Sequence, residues 1–195
     1  MKDLYNHSCT LCPLHEHVET VCVEASGQGT RLRGMVVGEA PGRNEDHLGV
    51  PFVGQAGRIL NRALTIAFAH ESADPTKVRE DLFVTNAVKC RPQNNDTPSA
   101  SDIETCVSAY LTHEIEAVNA TALLACGNVA AQALLGETGI QRLRDTWYRI
   151  GPDRHVLVTW HPAYVLYRGG YPSEAWDLFY DDVKAFAERV LYGSR

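Results

Sequence analysis

Short apolar segments that alternate with helix-like stretches constrain the fold of this chain more than any other feature. Four such segments occur, at residues 35–37, 82–84, 122–125 and His155–Thr159. None of them shows the polar alternation of a one-sided sheet, so each is expected to be a strand buried on both faces. The sequence therefore predicts an α/β fold, a three-layer α/β/α sandwich with a central four-stranded, mainly parallel sheet.

The stretches between these strands carry helical patterns. Apolar residues recur every three to four positions in residues 59–68, 103–115 and 176–190, as on the buried face of an amphipathic helix. Ser99 precedes the second stretch, and its hydroxyl is expected to cap that helix. A shorter alanine-rich helix is expected after Gly127.

Polar and glycine-rich loops follow three of the predicted strands, at residues 38–42, 85–86 and 160–162. Sheets of this class bind ligands at the carboxyl ends of their strands. We therefore expect these three loops to converge on one pocket.

Composition limits the cellular context and the partners. The 195 residues are expected to form one domain, residues 1–195, with segment 1–30 contributing to a metal site. No apolar run reaches the roughly 18 residues that a membrane span needs, and the amino terminus lacks a secretory signal, so a cytoplasmic protein is expected. A monomer is expected as well. The net charge of −6 argues against a protein that coats nucleic acid, so any nucleic-acid contact should be local.

Six cysteines in a chain without an export signal favour metal ligation or burial over disulfides. Cys9 and Cys12 have a chelating spacing, and Cys90 and Cys106 bracket the loop after the second strand. A tertiary fold that joins the two pairs could place four thiolates around an iron–sulfur cluster, with structural zinc as the alternative. Cys22 and Cys126 lie in apolar segments and are expected to be unligated.

The combination of motifs resembles the family 4 uracil-DNA glycosylases, and the resemblance spans nearly the whole chain. The order and spacing of the motifs carry it. They are Cys9-x2-Cys12, the Gly-Glu-Ala-Pro-Gly loop at 38–42, Glu45-Asp46, the Pro-Phe-Val-Gly segment at 51–54, Thr85-Asn86-x2-Lys89-Cys90-Arg91-Pro92, Cys106 and His161-Pro162.

This resemblance implies a DNA glycosylase that hydrolyses the N-glycosidic bond of a base flipped out of DNA and leaves an abasic site. It also implies a structural [4Fe-4S] cluster on the four cysteines Cys9, Cys12, Cys90 and Cys106. The DNA could be single- or double-stranded, and the implied base is uracil.

Two residues suit the chemistry of base excision, in which positive charge develops on the sugar and negative charge on the departing base. A neutral His161 could donate a hydrogen bond to the base oxygen, and Glu39 could orient water and offset the sugar charge. The alternative for His161 is a buried structural histidine. Glu45 and Asp46 could share the positioning of water, although adjacent acids in a loop are more often solvated.

Base recognition is expected from five residues near the predicted pocket. Phe52 offers a stacking face, and the Asn86 amide offers a donor and an acceptor to the Watson–Crick edge. The backbone around Gly38, Ala40 and Gly42 could approach the base closely. The alternatives are that Phe52 is a core anchor, that Asn86 caps a turn and that the glycines only form one.

DNA contacts are expected from the loop after His161, where Leu166 or Tyr167 could act as a wedge and Arg168 could meet a phosphate. Asn95 is expected at the base-edge surface. Two departures from the family pattern occur here: Tyr167 follows the loop leucine where the family has Arg, and Asp96 follows Asn95 where the family has Arg.

These departures keep two alternatives open. One is a glycosylase for a hypermodified pyrimidine, for example in bacteriophage DNA, with a defence role. The other is a non-catalytic DNA-binding protein on the same fold, against which the presence of both Glu39 and His161 argues. The covalent uracil-trapping relatives are disfavoured, because residues 91–105 contain no histidine.

Overall fold

The structure is a computed structural model that describes residues 4–69 and 77–193. Of the domain expected over residues 1–195, the segments 1–3, 70–76 and 194–195 lie outside the described residues. Among the described residues, none of the helices combines the length and the apolar character that a membrane span requires.

One sheet of five strands forms the centre of the fold. The strands are β1 (Gly34–Gly38), β2 (Phe83–Asn86), β3 (Ala122–Cys126), β4 (Trp147–Arg149) and β5 (His155–Thr159), in the order β2-β1-β3-β5-β4. Neighbouring strands are parallel except β4 and β5, which are antiparallel. The mainly parallel sheet is confirmed, and all four predicted strands are present. The prediction of four strands missed β4, a short strand at the edge of the sheet.

Nine helices occur among the described residues and connect or flank the strands. They are α1 (Arg43–Leu48), α2 (Gln55–Ala67), α3 (Val78–Asp81), α4 (Ala100–Cys106), α5 (Thr112–Val118), α6 (Asn128–Leu135), α7 (Ile140–Leu143), α8 (Pro162–Tyr167) and α9 (Glu174–Tyr192). A π-helical turn, Val107–Leu111, joins α4 to α5, and short 3-10 turns occur at Pro13–His17 and Gln93–Asn95.

The sheet separates two apolar layers, which confirms the predicted three-layer sandwich. On β1, Met35 and Val37 pack into one layer with residues of α5 and α6, whereas Val36 packs into the other with residues of α2 and α9. All five residues of β1 are buried. Burial on both faces explains why the strands lack a polar alternation in sequence.

The predicted cap of α4 is present. Ser99 Oγ accepts a hydrogen bond from the Asp102 N–H at 3.1 Å, and the Asp102 carboxylate accepts one from the Ser99 N–H at 3.3 Å. This reciprocal capping box satisfies two backbone donors that a helix start leaves without partners.

Backbone contacts hold the segment before β1 against β2 and the loop that follows β2. Ser26 forms an antiparallel bridge with Val84 of β2, and the Val23 N–H donates to the Lys89 carbonyl at 2.9 Å. These contacts bring the amino-terminal cysteines towards the loop that carries Cys90.

Candidate active site

A cleft of about 430 Å³ opens at the carboxyl ends of β1, β2 and β5. This is the edge at which the sequence predicted three loops to converge, and the convergence is confirmed. The lining residues are Glu39, Ala40, Pro41, Gly42, Glu45, Phe52, Ala56, Asn86, Pro92, Asn95, Asp96, His161, Ala163 and Tyr164.

His161 follows β5 and forms the N-cap of α8. Its Nδ1 accepts a hydrogen bond from the Ala163 N–H at 3.2 Å. An accepting Nδ1 leaves the ring proton of a neutral imidazole on Nε2. Burial lowers the pKa of His161 to about 4. At neutral pH the ring is therefore an uncharged donor through Nε2.

Glu39 follows β1 and lines the same cleft, half-buried. Its backbone carbonyl accepts from the Val88 N–H at 2.9 Å, which fixes the loop against the segment after β2. Burial raises the pKa of the Glu39 carboxyl above its ordinary value. The carboxylate has no hydrogen-bond partner among the described residues, so it is available to a water or a ligand.

Phe52 and Asn86 lie side by side against the end of β1. A Cβ on Gly38 would lie 2.3 Å from Asn86 Oδ1 and 2.4 Å from the Phe52 ring, so only glycine admits both side chains. The Phe52 ring also lies 6.3 Å from the His161 ring, centroid to centroid. Gly38 itself is behind the cleft surface, whereas Ala40 and Gly42 line it.

The two adjacent acids, Glu45 and Asp46, have different surroundings. Glu45 lines the cleft, and its Oε1 accepts from the Gly54 N–H at 2.7 Å. Asp46 does not line the cleft, and its Oδ1 accepts from the backbone N–H groups of Glu19 and Thr20, both at 3.0 Å. The structure therefore places Glu45 with Glu39 and directs Asp46 to the amino-terminal segment.

Sequence reasoning missed Arg79, which supports the Phe52 loop from α3. Its guanidinium donates to the carbonyls of Phe52, at 2.7 Å, and of Pro51, and also contacts Asn61 Oδ1 at 3.0 Å. Phe52 has a φ of 54°, a left-handed conformation that is unfavourable for an aromatic residue. Arg79 thus stabilises the conformation that brings Phe52 to the cleft.

A buried ion pair, Lys89 with Glu114, lies directly behind Asn86. Lys89 Nζ donates to the Asn86 carbonyl at 2.8 Å and to Glu114 Oε2 at 2.7 Å. The two side chains are 1% and 0% exposed. The hydroxyls of Thr85 and Tyr5 also donate hydrogen bonds to the Glu114 carboxylate. The lysine of the predicted motif therefore supports the backbone at Asn86, a contact that the sequence alone did not predict.

The residues predicted to contact DNA lie beside the cleft. Leu166 and Tyr167 on α8 are both exposed, Tyr167 to 87%. Arg168 ends α8, with its guanidinium 5.9 Å from the centroid of the Tyr164 ring. Asn95 lines the cleft and its Oδ1 accepts from Arg91 Nε at 2.7 Å.

The four predicted ligand cysteines come from three segments, which are residues 9–12, the Lys89–Cys90 loop and α4. Cys9, Cys90 and Cys106 are buried, and Cys12 is half-buried. Burial, with smaller contributions from neighbouring cysteines that include Cys12, raises the pKa of Cys90 to about 11 and of Cys106 to about 12. Cys12 contributes to the shift of both thiols, and Cys22, predicted to be unligated, contributes to that of Cys90.

Their arrangement is not a ready metal site in the part of the chain that the structure describes, where no three His, Cys, Asp or Glu side chains converge as ligands. The donor set nevertheless suits an iron–sulfur group, which is held by four thiolates. Cys22, predicted to be unligated, donates its backbone N–H to Cys90 Sγ at 3.4 Å. Cys126 is buried on β3.

Comparison with known proteins shows the family of the chain. Residues 26–184 match the model of the uracil DNA glycosylase superfamily, and the chain therefore belongs to that superfamily. Within it, the chain is similar to Type-4 uracil-DNA glycosylases. The Archaeoglobus fulgidus protein is 38% identical over 170 residues, covering 83% of this chain and 79% of its own.

Two further Type-4 uracil-DNA glycosylases show comparable similarity. The Pyrobaculum aerophilum protein is 36% identical over 168 residues, with 82% and 80% of the two chains covered. The Thermotoga maritima protein is 36% identical over 160 residues, with 81% and 78% covered. The family 4 resemblance predicted from the motifs is confirmed.

Proposed function

We propose that this protein is a monofunctional DNA glycosylase that removes uracil from DNA by hydrolysing its N-glycosidic bond and leaves an abasic site. The observation that carries the proposal is one cleft that holds both a neutral His161 with its proton on Nε2 and a Glu39 carboxylate that no described residue hydrogen-bonds. Family membership and the Type-4 relatives support the same activity.

The two side chains divide the chemistry between the two developing charges. As the bond between deoxyribose C1′ and the base nitrogen lengthens, negative charge grows on the base and positive charge on the sugar. His161 Nε2–H donates to the base oxygen, and a neutral donor stabilises that anion without transferring its proton first. Glu39 offsets the sugar charge and orients the water that attacks C1′.

Base recognition follows from the residues around the cleft floor. The Phe52 ring stacks on the flipped base, and the Asn86 amide pairs with its Watson–Crick edge. Ala40 and Gly42 give the base a close approach to backbone, and Glu45 holds the Gly54 amide so that the Phe52 loop stays in place.

DNA outside the base contacts α8 and the loop after β2. Leu166 or the exposed Tyr167 enters the stack that the flipped base has left, and Arg168 neutralises a phosphate. Asn95, which lines the cleft, contacts the edge of a base. These few contacts suit an acidic protein, which binds DNA locally. The protein is proposed to act as a monomer in the cytoplasm, where thiols stay reduced.

A [4Fe-4S] cluster is proposed on Cys9, Cys12, Cys90 and Cys106. When bound, the cluster supplies a structural cross-link between the amino-terminal segment, the Lys89–Cys90 loop and α4. The Cys22 N–H donates to Cys90 Sγ and so supports that ligand. Zinc, the alternative, gains no support from the described residues.

The test is incubation of the purified protein with single-stranded and duplex oligonucleotides that contain one uracil, thymine, hypoxanthine or phage-type modified cytosine. Abasic-site formation is scored by alkaline strand cleavage. Excision of uracil above all other bases is expected. Excision of a modified cytosine instead would assign the hypermodified-pyrimidine alternative, and no excision of any base would assign the non-catalytic one.

A further inference from the structure

A second cleft, of about 320 Å³, lies on the other side of Tyr164 from the first. Tyr164 lines both clefts, so the two clefts are adjacent. Trp160, Gln141, Arg168 and Glu174 also line the second cleft. Its volume lies within the range of small-ligand pockets. Of its lining residues, only Arg168 has a part in the proposed function, as a contact to a phosphate.

One wall of the second cleft is an aromatic platform. The rings of Trp160 and Tyr164 stack with centroids 4.5 Å apart and an interplanar angle of 23°. The indole Nε1–H of Trp160 is buried without an acceptor in the described part of the chain, so this wall keeps a donor that the fold does not use. Aromatic faces next to a DNA site are typical stacking partners for unpaired bases.

The polar groups of this cleft complement the rest of a nucleotide. Gln141 and Glu174 are exposed, and neither side chain hydrogen-bonds to a described residue. A carboxylate accepts hydrogen bonds from exocyclic amino groups such as cytosine N4. The Arg168 guanidinium, beside Tyr164, is placed to meet the phosphate of the same nucleotide.

We propose that the second cleft binds the base next to the flipped nucleotide on the same strand. The preferred base carries an exocyclic amino group, which Glu174 and Gln141 read, so thymine binds more weakly there. This inference rests on the proposed function, because it needs the flipped base in the first cleft. It extends that function from one base to a dinucleotide context.

The test uses short single-stranded oligonucleotides with one central uracil and all four bases in turn at the 5′ and then the 3′ neighbouring position. Dissociation constants are measured at fixed salt by fluorescence anisotropy, together with KM and kcat for excision. For the wild type, thymine on one side of the uracil should weaken binding about tenfold relative to cytosine. The double variant Gln141→Ala/Glu174→Gln should lose that preference and keep kcat.

Asp177→Asn is the matched control. Asp177 is exposed in the same first turn of α9 as Glu174 but does not line the cleft, so this variant should keep the wild-type preference. Equal binding of all flanking bases by the wild type, or a preference that survives the double variant, would overturn the proposal. A wild type that binds with the flanking preference but excises nothing would instead overturn the proposed activity.

Discussion

His161 and Glu39 line the same cleft, yet burial changes their pKa values in opposite directions because it disfavours the charged form of each. The histidine stays neutral down to a pH of about 4. The carboxyl group takes up its proton at a higher pH than an ordinary glutamate. A neutral donor and an ionised acid therefore coexist only above the raised pKa of Glu39.

The loss of excision rate at low pH should accordingly reflect protonation of Glu39. Single-turnover excision by the wild type should slow as the pH falls through the raised pKa of this carboxyl. Glu39→Gln should be slow with no such decline, and His161→Asn should be slow but retain it. A decline that disappears only in His161→Asn would assign the titration to the histidine and contradict this interpretation.

Arg79 is predicted to act on catalysis through Phe52. Arg79→Gln removes the donors to the carbonyls of Pro51 and Phe52, so the left-handed Phe52 should relax away from the cleft. We expect kcat/KM for uracil excision to fall about tenfold or more, with partial recovery in Arg79→Lys. Arg58→Gln, an exposed arginine on α2, is the control. Loss of kcat/KM only in proportion to lost folded protein, measured by thermal unfolding, would leave Arg79 a purely structural role.

At the level of helices and strands, the length and burial of each element decide whether the sequence could predict it. The four parallel strands were predictable because each is a continuous buried apolar run. β4 was not, since it has three residues and none is fully buried. Asp46 was grouped with Glu45 as an adjacent acid, but successive residues of a helix point about 100° apart.

The contacts of Arg79 and Lys89 were also beyond the sequence pattern. Arg79 contacts a carbonyl 27 residues earlier in the chain, and Lys89 contacts a carboxylate 25 residues later. The periodicity of apolar residues along the sequence cannot predict contacts between residues so far apart in the chain. Glu39, Asn86 and His161, in contrast, lie at strand ends or within two residues of them, and the rule for parallel sheets brings them together.

The Lys89–Glu114 pair should stabilise the connection between β2 and α5. Lys89→Met leaves a buried carboxylate without its cation and is expected to cost about 3–5 kcal/mol of unfolding free energy in urea denaturation. Glu114→Met should cost a similar amount. The double variant should lose clearly less than the sum of the two, because it buries no unpaired charge. Strict additivity would contradict a coupled pair.

At the scale of the whole molecule, the predicted cluster would join three distant parts of the chain beside the sheet. We expect the purified protein to be brown, to absorb light at about 400 nm and to contain iron. Serine at Cys9, Cys12, Cys90 or Cys106 should lower the iron content, whereas Cys126→Ser should keep it. Zinc without iron in anaerobically purified protein would contradict the assignment.

One cleft at the end of the parallel sheet is proposed to excise uracil through His161 and Glu39. The decisive measurement is single-turnover abasic-site formation on a uracil-containing oligonucleotide by the wild type, His161→Ala and Glu39→Ala. We expect excision by the wild type and rates lower by about 10²-fold or more in each variant, with unchanged thermal unfolding. Unchanged excision rates in both variants would contradict it.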